Sequence, residues 1–407
     1  MRSTLKSFRV LVTLTLSIAC AILAVVWPGW LTDFRAEGYY SSQPLTPGDL
    51  AKGGLKDLNV IGSVAISTAT VQSTNIGLRL SALRGGATGM SMSGLSFKMD
   101  GQSLPLDAAM PSLGDGGGAS ADPSRQGGGL GLFLNGLGSF GDQRATSREP
   151  GFDFHTAGLT LGGDYRWTEH VILGAAVGYL NTKAELDASA GHMTTNGYSL
   201  SAYGTYFMAE KMYLDGIATY GWNNYDTTRN ITVPGVNETA RSNNDGNQFA
   251  LTVGGGYNFN FGPLTAGPSL RVNYIRVHVD GFQERGAATS NLKVDSQRVE
   301  SLATDLGGQV SYAISMPWGV LSPLARFEWE HEFKGSSRLI TGSLVADPAT
   351  IFSVPTNAPD RDYFNLGVGL TATLKRGASA FVYYETILGR DNVTNHSFTA
   401  GVRFAFG

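Results

Sequence analysis

From about residue 130 to its end, the chain alternates apolar and polar residues one for one, segment after segment. In 364–374, Phe364, Leu366, Val368, Leu370, Ala372 and Leu374 are interleaved with Asn365, Gly367, Gly369, Thr371 and Thr373. Residues 249–261, 302–314 and 397–406 repeat the pattern. A strand turns successive side chains to opposite faces, so each segment asks for an apolar medium on one side and a polar one on the other. Twelve such segments lie near 130–141, 154–167, 170–182, 195–208, 211–226, 247–261, 264–279, 299–315, 318–333, 362–374, 377–388 and 394–406. They exceed the roughly 5–6 residues of an ordinary strand and suit the roughly 9–11 that a tilted strand needs to cross a bilayer.

The connections narrow the topology. Short turns at 167–170, 209–210, 262–263, 316–317 and 375–376 alternate with longer pieces at 142–153, 183–194, 227–246, 280–298, 334–361 and 389–393. An even strand count with short turns at one end and longer loops at the other marks an outer-membrane barrel. A soluble sandwich has no reason to gather its long loops at one end. The expected fold is therefore all-β, a twelve-stranded antiparallel transmembrane β-barrel, with an N-terminal helix expected inside the lumen. Tyr165, Trp167, Tyr206, Phe207, Trp222, Tyr225, Trp318, Trp329, Phe404 and Phe406 cluster near segment ends, as interfacial girdles require. Asp164, Arg166, Asp215, Asp305, Arg326, Glu328 and Glu330 fall on the polar parity of their strands and are expected to line the lumen. An Arg or Lys facing lipid at mid-depth costs ~2–4 kcal/mol, so this parity follows from physics alone.

Ahead of the barrel the chain divides into four. Residues 1–30 read as a secretory signal, with Arg2, Lys6 and Arg9 before an apolar run from 10 to 26; an uncleaved inner-membrane anchor is the competing reading. Residues 31–59 read as linker or a short passenger remnant. Residues 60–86 hold the one good helical pattern, whose non-apolar face is small and hydroxylic, ended by Gly85-Gly86. Residues 87–129 read as a Gly-rich linker, and 130–407 as the barrel. No later run approaches the ~20 apolar residues of a spanning helix.

Composition closes off other classes. With 30 Lys and Arg against 33 Asp and Glu, the net charge of −3 offers no basic field for nucleic acid. Six His and one Cys give little material for a metal centre or a disulfide framework. Neither a G-x-S-x-G elbow nor a phosphate-binding G-x-x-x-x-G-K-[ST] occurs. No cofactor, no metal and no enzymatic activity are expected.

Several stretches resemble the translocator β-domain of monomeric autotransporters (type V secretion) of Gram-negative bacteria. They are NIGLRLSALRGGATG (75–89), GLFLNGLGSFG (131–141), GFDFHTAGLTLGGDYRW (151–167), VILGAAVGYL (171–180), YLDGIATYGWNNYDTTRNI (213–231), FEWEHEF (327–333) and GVRFAF (401–406). The resemblance covers about 70–407. It implies a barrel in the outer membrane, inserted with the barrel-assembly machinery and periplasmic chaperones, that exports an N-terminal passenger polypeptide and keeps a plug helix. The chain is expected to be a monomer surrounded by outer-membrane lipid. On this view Asn75, Arg79 and Arg84 belong to the plug, and Arg79 and Arg84 pair with Glu328, Glu330 or Asp215. Phe404 and Phe406 supply the carboxy-terminal assembly signal. Some family members cleave themselves between two plug asparagines; here that pair reads Thr74-Asn75, so no self-cleavage is expected. Esterase members carry a GDSL motif, and Gly48-Asp49-Leu50 lacks its serine. Two features depart from the family pattern: a passenger is nearly absent, and about 45 residues separate the helix from the first strand. The alternative is a passenger-less barrel acting as a surface adhesin or receptor through its loops, or as a narrow pore.

Overall fold

The computed structural model describes residues 46–87, 96–99, 102–105, 130–208, 211–374 and 378–406. The signal and the first part of the linker, the sequence ahead of residue 46, lie outside the described residues, as does most of 88–129. Within that last stretch Ser96–Met99 pairs antiparallel with Gln102–Pro105.

Twelve long strands form one closed ring. They are β1 (Leu130–Gln143), β2 (Phe152–Arg166), β3 (Val171–Leu186), β4 (Gly191–Phe207), β5 (Met212–Val233), β6 (Val236–Tyr257), β7 (Leu264–Val279), β8 (Gln297–Tyr312), β9 (Gly319–Glu332), β10 (Asp362–Leu374), β11 (Ser379–Leu388) and β12 (His396–Phe406). Each pairs antiparallel with its sequence neighbours, and β12 pairs with β1 from His396↔Phe140 to Phe406↔Leu130. Closure removes the free edges that lipid cannot satisfy. The two faces obey the alternation. Leu132, Leu161, Val177, Leu200, Leu306 and Val382 are exposed on the outside, while Asn135, Thr160, Thr182, Ser201, Thr219 and Thr252 are buried inside. Phe207 and Tyr225 point inward and are buried, so they leave the girdle that sequence proximity assigns them. Tyr206 and Trp222, of the opposite parity on the same strands, stay outside.

The loop end is more ordered than the sequence suggests. Residues 227–246 are no loop: β5 and β6 run on as a ladder to a turn at Pro234-Gly235, where Gly235 has φ +86. Residues 183–194 likewise shrink to a short turn between β3 and β4. Above the bilayer both faces of a strand meet water or protein, so apolar alternation fades while backbone pairing continues. Pieces of the 280–298 and 334–361 connections form a separate sheet of Phe282–Gln283, Leu292–Val294, Leu339–Leu344 and Asp347–Pro355.

Two helices precede the barrel. α1 (Pro47–Asp57) starts at a capping box, in which the Thr46 side chain accepts from the Asp49 amide and the Asp49 carboxylate accepts from the Thr46 amide at 3.0 Å. This helix replaces part of the linker read at 31–59. After Leu58 and Asn59 the chain continues as α2 (Val60–Ala87). α1 sits on the loop-end sheet, and Leu55, Leu58, Ile61 and Val64 join Leu292, Val294, Ile340 and Leu344 in one apolar cluster. Deeper along α2, Ile76, Leu80 and Leu83 meet Phe133, Ile172, Tyr203, Phe207 and Tyr213 near the turn end. The helix therefore fills the lumen with its first residues at the loops and its last at the turns.

Candidate functional site: the occupied lumen

α2 packs chiefly against β2–β8, and its residues divide by helical period. Ser63, Ser67, Thr70, Ser73, Thr74 and Gly77 recur at three- and four-residue spacing along its less buried face. These small residues line a cavity of about 910 Å³ beside the helix. The remaining faces are buried against the wall, which explains why this helix lacks the charged stripe of one facing bulk water.

Polar tethers fix the buried face. The Asn75 amide donates to Thr160 Oγ1 at 2.8 Å, and its carbonyl oxygen accepts from Asn135 Nδ2 at 3.0 Å. Gln248 donates to Gln72 Oε1 at 2.5 Å, and Ser81 Oγ to Gln309 at 3.3 Å. Arg79 forms an ion pair with Asp164, in which both side chains are only 3% exposed. Its Nε donates to Asp164 Oδ2 at 2.8 Å, and its guanidinium lies 4.9 Å from the centre of the Phe133 ring. Tyr203 adds a hydroxyl donor to the same carboxylate at 3.4 Å. Leaving one member of such a buried pair without the other costs ~3–5 kcal/mol.

This pairing corrects the expectation that Arg79 meets Glu328, Glu330 or Asp215. Depth decides it: Arg79 comes late in a helix that enters from the loops, and Asp164 lies near the turn end of β2. The side chain of Arg84 lies outside the described residues.

Of the other expected lumen charges, Asp305, Arg326, Glu328 and Glu330 gather on the opposite wall, while Arg166 at the end of β2 donates to the Glu169 carbonyl at 3.2 Å. Arg271 on β7 bridges Asp305 at 3.0 Å and Glu328 at 2.5 Å, and Asn273 donates to Asp305 at 2.9 Å. Arg326 stands 4.0 Å from Glu328. Glu330 accepts from Tyr363 at 2.5 Å and Asn365 at 2.7 Å, and Glu385 accepts from Tyr383 at 2.9 Å. Asp215 lines the same cavity. Phe404 faces outward, and Phe406 pairs its backbone with Leu130 at the seam; the Phe406 side chain lies outside the described residues. Among the described residues no group of three or more His, Cys, Asp or Glu is arranged to hold a metal.

At the loop end a second buried pair supports α1. Arg229 on β5 binds Glu284 through Nε at 3.0 Å and Nη2 at 2.6 Å, and Nη2 also donates to the Ser290 carbonyl at 2.9 Å. Gly54 lies so close that a Cβ there would stand 2.7 Å from Arg229 Nη1. Arg338 reaches from the long 334–361 connection to Asn59 at 2.7 Å and Gln297 at 2.7 Å. Beside this pair the Asp57 carboxyl is pushed up to about 6, burial being the larger cause, with Arg229 opposing and Glu284 adding to it. Arg229, Glu284 and Arg338 join residues far apart in sequence, and no local motif announces them. α1 is different, because Thr46-Pro47-Gly48-Asp49 is a readable helix start.

The family model of the autotransporter β-domain matches residues 132–385, well over half of the chain. The chain belongs to the autotransporter family. Its barrel is an outer-membrane translocator β-domain. It is similar to the esterase EstA of Pseudomonas aeruginosa, at 27% identity over 58% of this chain and 36% of that protein. It is also similar to the putative surface cell antigen sca2 of Rickettsia conorii, at 22% identity over 54% of this chain and 12% of that protein. The chain thus spans only about a third, or less, of the length of these relatives. Among solved structures it shares its fold with the translocator domain of NalP from Neisseria meningitidis, with a TM-score of 0.55, 19% identity and coverage of 68% of this chain and 88% of that one. The β-domain of the Bordetella autotransporter BrkA gives a TM-score of 0.51 at 23% identity, covering 68% and 99%.

Proposed function

We propose that this translocator β-domain carries polypeptide attached ahead of Thr46 to the cell surface, and that α2 is the segment that comes to rest in the pore. The orientation of α2 carries the reading. Its first residues lie among the long loops, which in an outer-membrane barrel face the outside, and its last lie at the short periplasmic turns. Anything joined to α1 therefore emerges outside. The barrel acts as conduit and anchor and supplies no catalysis of its own; its lumenal carboxylates are engaged with Arg, Tyr and Asn partners. Residues 1–30 direct export across the inner membrane, and the barrel-assembly machinery with periplasmic chaperones inserts the barrel, reading the end that carries Phe404 and Phe406. An epitope fused ahead of Thr46 tests the export reading. In intact cells it is expected to be cut by added protease; an epitope protected outside yet cut after the outer membrane is opened, with the barrel folded, overturns it.

A second reading, a surface receptor or adhesin, draws on the loop-end sheet, where Leu339 and Ile351 are 66% and 70% exposed. Replacing both by Ser is expected to abolish adhesion to host cells or matrix if that reading holds. Unchanged adhesion removes it.

A further inference from the structure

On the outer wall, the lipid-facing rows of β7 and β8 end toward the loops in Arg276, His278 and Arg298. His278 stands directly across from Arg298, and Arg276 across from Phe249 of β6. Tyr220, Phe249 and Tyr274 provide an aromatic floor beneath the cations, and together these groups enclose an outward-opening groove of about 570 Å³.

The local carboxylates are already engaged. Glu300, across from Arg276, accepts from Lys334 Nζ at 2.6 Å and from the Tyr274 hydroxyl at 3.1 Å. Asp280 stands 3.3 Å from His278. Among the described residues the guanidiniums of Arg276 and Arg298 make no hydrogen bond or ion pair. Other outward polar groups just beyond the girdle satisfy one another: Asn181 donates to Asn196 at 2.9 Å, Asn224 to Asp245 at 2.9 Å, and His331 meets Asp362 at 2.8 Å. The arginine pair is left with donors directed at the surroundings.

We propose that this groove binds a phosphorylated lipid of the outer leaflet. Its phosphoryl group is held by Arg276 and Arg298, and its first acyl carbons lie along Tyr220, Phe249 and Tyr274. Guanidinium presents paired N–H donors that match phosphate oxygens, and a position just beyond the aromatic girdle is headgroup depth. The anion supplies hydrogen-bond acceptors to both guanidiniums, and the apolar floor favours a lipid over a free ion.

The test uses the full chain, purified in detergent micelles doped with diphosphoryl lipid A and examined by native mass spectrometry. The native chain is expected to retain one lipid, and Arg276→Gln/Arg298→Gln to retain at least tenfold less. Lys183→Gln, an exposed cation on β3, is expected to retain lipid normally, and dephosphorylated lipid is expected to leave the native chain. Heat-modifiable migration on gels establishes that each variant is folded. Equal retention by the double glutamine variant, equal retention of dephosphorylated lipid, or displacement by inorganic phosphate at matched concentration overturns the proposal.

Discussion

The two walls of the lumen handle charge in opposite ways. The wall of β1, β2, β4 and β6 spends its polar groups on the helix, through Asn135, Thr160, Asp164, Tyr203 and Gln248. The wall of β7–β11 spends its groups on itself, through Arg271, Asp305, Arg326, Glu328, Glu330 and Glu385, and looks onto a polar cavity. One wall holds the helix through side-chain tethers; on the other, β7 and β8 pack against it and Gln309 accepts from Ser81, but the charged groups pair among themselves. Both neutralise buried charge, so burial alone does not say which residues hold the plug. Only the partner's address does.

The sharpest way to break this contrast is Arg79→Met, which leaves Asp164 buried without its partner on the helix. Docking of α2 is expected to weaken by ~3–5 kcal/mol, with ion conductance in planar bilayers rising well above that of the native barrel. Conductance as low as native removes Arg79 from the grip. Glu328→Gln on the other wall is expected to act next most strongly, by roughly 2–3 kcal/mol, because Arg271 and Arg326 lose a charged acceptor. Its effect should appear as a lower unfolding temperature of the barrel with conductance unchanged; a large current increase would show that this wall also holds the helix.

At the loop end, Gly54→Leu forces a side chain against Arg229 and is expected to cost ~1–3 kcal/mol of α1 docking, read as faster hydrogen exchange over 47–57. The smallest effect is that of pH. Because Asp57 binds its proton more tightly in the docked state than in an undocked one, docking gains stability as pH falls from above 6 toward 4 and loses it as pH rises through about 6. Exchange over 47–57, corrected for intrinsic rates, should be slower at pH 5 than at pH 8, and Asp57→Asn should flatten the difference. An opposite slope would mean that Arg229, rather than burial, governs this carboxyl.

How far the sequence reaches follows from what each signal reports. Alternation reports a medium, so the barrel is legible wherever a strand separates lipid from lumen, as in 364–374. It falls silent at 227–246, where Thr227 and Thr228 are polar on both faces although the ladder runs on. The helix at 60–87 is legible from its apolar spacing, and its hydroxylic face turns out to be the one beside the cavity. α1 is obscured by Gly53-Gly54, which read as a breaker, even though Gly54 is what lets a helix approach Arg229. Asn75 and Arg79 lie on the lumenal helix, and the partner of Arg79 depends on depth along two elements at once. Parity gives the face of Asp164 and not its height.

The seam between β1 and β12 joins the first strand of the ring to the last, and it encircles a helix belonging to the same chain. The result is a threaded object. While the seam stays closed, α2 leaves the ring only along the bore. Its anchorage therefore rests on the closed ring as well as on side-chain tethers such as Arg79–Asp164. Assembly inherits the same constraint, since the circumference cannot be completed until the final strand has been delivered and the helix has a way in.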